Sequence, residues 1–123
     1  MTYTDLLGVK YRPHGRTKEE GFDCYGLAIE VLRRNGITLP DLYYSSIKDA
    51  ETVCKGIKGI RATEISKPEE NCLVEITNCG EPSHVGVYIG EGLMIHTTTH
   101  SNVVIEPLKH YEHRIKGYWK VNS

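Results

Sequence analysis

The chain has 123 residues, 39% of them apolar and 25% charged, with 15 Lys plus Arg against 16 Asp plus Glu. That length fits one domain, 1–123, which buries roughly two-thirds of its unfolded surface and needs no metal or disulfide to fold. A net charge of −1 leaves no footprint for nucleic acid or an anionic membrane surface, and no apolar run approaches the ~18 residues that span a bilayer.

The N-terminal stretch, MTYTDLLGVKYRPHG, has an early acid and no apolar centre, so it is not read as a signal peptide. The expectation is a chain that is cytoplasmic as synthesised and leaves by lysis or inside a larger particle. Residues 4–8 predict a short helix capped by Thr2 or Thr4 and stopped by Gly8. Residues 9–22 hold Pro13, two glycines and six charges, and read as a surface loop. Residues 23–35 give the clearest helix. Asp23 is a strong N-cap residue, Leu27, Ala28, Val31 and Leu32 share one face, and Arg33-Arg34 precede Gly36 at the negative pole. Gly26 in the first turn costs up to about 1 kcal/mol against Ala, and a small residue there lets another backbone approach. Residues 37–70 carry weaker signals: a turn at Pro40-Asp41, a helix over 46–55, a strand over 59–65 and a turn at 67–71. From 72 the period becomes two, with strands at 72–77, 84–90, 93–98, 103–108 and 115–121 joined by short turns. Helix first and an antiparallel meander second make the chain α+β.

Cysteines stand at 24, 54, 72 and 79. Without an export signal, disulfides are not expected. Cys72, Cys79 and His84 lie close in sequence, but the spacing lacks the tight C-x2-C pair of structural zinc sites, so no metal is expected. Cys54, Cys72 and Cys79 read as structural. Cys24 does not, because it opens the helix, where the positive pole favours a thiolate and free N–H groups can bind an oxyanion.

His84 opens a strand in which Val85, Val87 and Ile89 face one way and His84, Gly86 and Tyr88 the other. His96 lies on the next strand. A plain two-residue turn at Glu91-Gly92 pairs Val87 with His96 and separates the imidazoles. A bulge instead brings Gly86 opposite His96 and sets both rings on one face. Gly90 and Gly92 tolerate positive φ, so the bulge is predicted, with His96 holding the ring of His84 as the third member of a triad holds the base. His14 and His100 fall in loops beside this proposed cleft. His110 and His113 lie in a polar connector and read as solvated, and Trp119 reads as core. The eight tyrosines suggest rings that line a cleft as well as fill a core.

The run GFDCYGLAIEV resembles the Asp-Cys-x-Gly-Leu nucleophile motif of NlpC/P60 cell-wall peptidases. SHVGVYIG resembles their base motif, LMIHTTT the strand bearing their third polar residue, and VKYRPHG the segment upstream of the cysteine. The resemblance runs from about residue 9 to 121. It implies a papain-like fold with N-terminal helices on a five- to six-stranded antiparallel sheet. It also implies cofactor-free hydrolysis of a peptide-stem amide of peptidoglycan, commonly between D-γ-glutamate and the diamino acid. By motif position Cys24 is the nucleophile, His84 the general base and acid, and His96 the orienting residue. Tyr11, Asp23 and Tyr25 are the implied substrate or oxyanion residues. Tyr25 replaces the usual small residue after the cysteine, which is similar to the phage-tail branch and implies a phage or prophage product with other tail proteins as partners. An amidase or acyltransferase on the same dyad, and a tail-assembly or interaction domain without catalysis, are the alternatives.

Overall fold

The structure is a computed structural model that describes residues 2–41, 62–78, 81–98 and 100–121. A 3-10 turn at Thr4–Leu6 leads to a small ribbon, β1 (Arg16–Thr17) and β2 (Gly21–Phe22), and then to helix α1 (Cys24–Arg34). Strands β3 (Ala62–Ile65), β4 (Leu73–Asn78), β5 (Glu81–Gly90), β6 (Leu93–Thr98), β7 (Asn102–Pro107) and β8 (Ile115–Val121) follow. Among the described residues these form one antiparallel six-stranded sheet in the order β3-β8-β4-β5-β6-β7.

The expected α+β plan is present, with three differences. The loop expected over 9–22 contains the ribbon, which pairs Arg16 with Phe22. It is too short to carry a period; Glu20 N–H donates to Thr17 Oγ1 across its turn, and Gly21, at φ 109°, opens β2. The helices expected at the N-terminus are one α-helix and a 3-10 turn among the described residues; the helix expected over 46–55 lies outside them. The last strand does not extend the meander. A second 3-10 turn, Leu108–Tyr111, carries the chain back so that β8 pairs with the far edge of β4, Trp119 opposite Leu73.

Helix α1 forms because its apolar positions recur at helical spacing and Asp23 caps it, accepting from Gly26 N–H at 2.7 Å. Its buried face (Leu27, Ala28, Val31 and Leu32) packs with Leu6 and Phe22 onto Leu73, Val85, Val87, Ile95 and Val103. Each fully buried aliphatic there contributes about 1.5–3 kcal/mol. The opposite face of the sheet carries Val74, Ile76 and Met94, covered by Tyr88, Leu108, Tyr111, Ile115 and Tyr118.

The β5–β6 hairpin has the bulge. Gly90 pairs with Leu93, Tyr88 with Met94 and Val87 with Ile95, so Ile89 is the extra residue. Glu91 at φ 58° and Gly92 at φ 74° form the tight turn. This register sets His84, Gly86 and His96 on one face. A Cβ on Gly86 would lie 3.2 Å from His96 Cβ and 2.6 Å from Met94 Sδ, so glycine is what lets the two strands close at this point.

Candidate active site

Cys24 is the first residue of α1. Two close approaches hold the start of this helix. Gly26 lies so near the preceding loop that a Cβ there would be 2.1 Å from the Gly15 carbonyl oxygen. Asp23, 4% exposed, accepts from Gly26 N–H and Arg16 Nη1 on one oxygen (2.7 and 2.9 Å) and from His14 N–H on the other (3.1 Å). The Cys24 sulfur interacts with the backbone N–H groups of Val85, Tyr25 and Cys24 itself. Val85 follows His84 in β5, so the sulfur meets this strand at the backbone next to His84. Among the described residues no direct Cys24–His84 hydrogen bond forms.

On the neighbouring strands the side chains form a relay. His84 Nε2 is 2.7 Å from His96 Nδ1, and the ring centroids are 4.9 Å apart. His96, 1% exposed, places Nε2 2.8 Å from Glu106 Oε1. The Tyr111 hydroxyl donates to the same Glu106 oxygen at 2.8 Å and packs edge-on to His96, with the Arg114 guanidinium 4.8 Å above its ring. With Nε2 of His84 engaged, Nδ1 has no hydrogen-bond partner among the described residues.

Burial dominates the electrostatics. It pushes the Cys24 thiol up to about 11, with the Asp23 charge adding to it, while the three backbone N–H groups work the other way. The lowering expected from the helix terminus is therefore real but outweighed by desolvation. Burial also pulls His84 down to about 3, helped by His96 and Arg114, and lowers His96 against the pull of Glu106. At rest the Cys24 thiol and the His84 imidazole are thus both neutral. Burial works against the Glu106 carboxylate, but hydrogen bonds from Tyr111 and His96 outweigh it and hold the group below its usual range.

Of the residues expected from the sequence, His84 and His96 are hydrogen-bonded to each other, and Tyr11 lies near Cys24. Burial lifts the Tyr11 phenol to about 12, and the next cause is the nearby Cys24. Two expectations are corrected. Tyr25 is fully buried in the core, and its hydroxyl donates to the Pro40 carbonyl, so it packs the helix rather than touching substrate. Asp23 cannot serve an oxyanion, because a carboxylate only accepts and its oxygens already hold the loop to the helix. His100 and His113 are exposed, and His110 is 3.7 Å from Glu106 Oε2. Cys72 is buried and free, while Cys54 and Cys79 lie outside the described residues. Glu106 and Tyr111 were not foreseen. A signal existed for Glu106: a short turn after Thr98 pairs His96 with Val104, and Glu106 then falls two residues along on the same face.

A family model described as the NlpC/P60 family matches residues 8–121. The murein DD-endopeptidase MepS/murein LD-carboxypeptidase of Escherichia coli K12 is 30% identical over 119 residues, which cover 96% of this chain and 54% of that protein. Gamma-DL-glutamyl hydrolase of Bacillus subtilis is 32% identical over 117 residues, 94% of this chain and 25% of that protein. The chain therefore spans about half the length of one relative and a quarter of the other. A solved NlpC/P60 family protein from Bacillus cereus superposes with a TM-score of 0.66 at 27% identity, covering 92% of this chain and 35% of that one.

Proposed function

The chain belongs to the NlpC/P60 family, and from that premise we propose that it is a cysteine hydrolase acting on the peptide stem of bacterial peptidoglycan. The observation that carries the reading is the His84–His96–Glu106 relay, together with a helix-opening cysteine whose sulfur meets the backbone N–H of Val85, the residue after His84. His84 takes the proton of Cys24 as the sulfur attacks the amide carbonyl. Because desolvation disfavours both charges at rest, the proton moves with the attack. The resulting oxyanion meets the N–H groups at the start of α1 and the Tyr11 hydroxyl. The imidazolium then protonates the leaving amine as the C–N bond breaks. Water, deprotonated by His84, cleaves the thioester and restores the thiol.

The finer reading is cleavage of the amide between D-γ-glutamate and the diamino acid, supported by similarity to a gamma-DL-glutamyl hydrolase. We take the chain to be a phage or prophage product, acting from a tail or at lysis, on the likeness of Tyr25 to the phage-tail branch. Mass spectrometry of muropeptides after digestion tests the activity and the bond. Wild type is expected to release fragments cut at the γ-glutamyl amide, and Cys24→Ser to lose at least about 10³-fold in rate. Equal activity of the two proteins would remove Cys24 as nucleophile, and an unchanged muropeptide profile with wild type would favour the interaction-domain reading.

A further inference from the structure

We propose that Glu106 is a positioning residue of this reaction: by keeping a proton on His96 Nε2, it obliges His84 to carry its own proton on Nε2 and leaves Nδ1 as the lone pair that takes the thiol proton. The proposal rests on the hydrolase reading of the same site.

The argument is one of donors and acceptors. An ionised carboxylate only accepts, so the 2.8 Å contact between Glu106 Oε1 and His96 Nε2 requires the hydrogen on His96. A neutral imidazole has one N–H, so His96 Nδ1 is bare. The 2.7 Å contact between that atom and His84 Nε2 then requires a hydrogen from His84. Nδ1 of His84, which has no hydrogen-bond partner among the described residues, is the basic nitrogen. With no obligate acceptor at 106, the His84–His96 contact is equally satisfied with both protons reversed. His84 then presents an N–H at Nδ1 and cannot act as a base. The Tyr111 hydroxyl, donating to the same Oε1 at 2.8 Å, steadies the carboxylate in that role. When His84 becomes an imidazolium, the Glu106 charge stands behind it across one neutral ring. That arrangement favours the state in which the proton has moved, as the buried carboxylate of a serine triad does.

The test uses ¹⁵N NMR of histidine-labelled protein together with kinetics of Glu106→Gln, whose amide offers both a donor and an acceptor at the same size. In wild type, His84 is expected to show a protonated Nε2 and a bare Nδ1. In Glu106→Gln the two tautomers are expected to mix, with kcat down about tenfold and KM unchanged, in the range that outer partners of functional histidines typically reach. A wild-type His84 protonated on Nδ1 overturns the proposal. So does a Glu106→Gln protein whose tautomers and kcat both match wild type. The wild-type spectrum needs neither substrate nor a folded variant. If no wall peptide is cleaved while His84 has a bare Nδ1, the hydrolase reading fails and the relay stands.

Discussion

At the scale of single residues, the site is governed by desolvation more than by the helix pole. His84 is drawn down to about 3 by burial, His96 and Arg114, and Cys24 is raised to about 11 by burial and Asp23. For the proposed hydrolase the competent free form has both groups neutral, so it persists between those two values. The expected outcome is a kcat/KM profile flat from about pH 5 to 8, where an unperturbed histidine of pKa ≈ 6.5 would give an acid limb. A profile falling with a midpoint between 6 and 7 would show that His84 is far more solvated than the structure has it. Tyr11 gives a second prediction. Its phenol lies near the sulfur and stays protonated across this range, so Tyr11→Phe is expected to lower kcat about tenfold with little change in KM, since it removes one oxyanion donor while the backbone N–H groups remain. Steady-state kinetics on a stem peptide reads this directly, and an unchanged kcat would exclude the hydroxyl from the oxyanion site.

At the scale of elements, the first turn of α1 and the β5–β6 hairpin do most of the positioning. By helix propensity alone, Gly26→Ala stabilises the protein by up to about 1 kcal/mol. The structure reverses the sign, because the added Cβ would lie 2.1 Å from the Gly15 oxygen, a backbone atom that cannot swing aside. Destabilisation of about 1–3 kcal/mol is expected, a fall in Tm of roughly 5–15 °C, measured by calorimetry; a rise in Tm would mean that the loop over α1 is not packed as described. Local signals made these elements legible. Asp23 and the apolar spacing marked the helix, the two glycines of Gly90-Glu91-Gly92 marked the bulge, and strands 93–98 and 115–121 emerged with the bounds read from their period. What was missed depends on distant partners. Nothing in residues 115–121 says that they return to β4 rather than follow β7, and the pairing of two-residue strands in the 16–22 ribbon leaves no period at all. Tyr25 misled for a related reason. Its place beside the cysteine suggested the cleft, whereas the helix turns that side chain into the core toward Pro40.

At the scale of the whole molecule, the relay makes folding depend on pH. His84 takes a proton at about 6.5 when unfolded but refuses it until about 3 when folded. Between those values the unfolded chain binds more protons, so stability falls as pH falls. Above about 6.5 neither state binds the proton and the contribution is flat. His96 is shifted in the same direction. The carboxylates of Glu30 and Glu106, held below their usual range, add a loss of the same sign that begins only as pH falls below about 4.5. The histidine contribution therefore lies at higher pH than ordinary carboxylate-driven acid unfolding, and a single group gives a slope of roughly 1 kcal/mol per pH unit there. Urea unfolding at pH 7.5, 6.0 and 5.0 is expected to show the midpoint dropping over this range. In His84→Gln the drop between 6.0 and 5.0 should shrink, because a side chain that does not titrate at that position removes one of the protons taken up on unfolding. If wild type and His84→Gln lose stability in parallel over this interval, His84 already accepts its proton in the folded protein, and the neutral resting pair at the centre of the proposed mechanism would have to be abandoned.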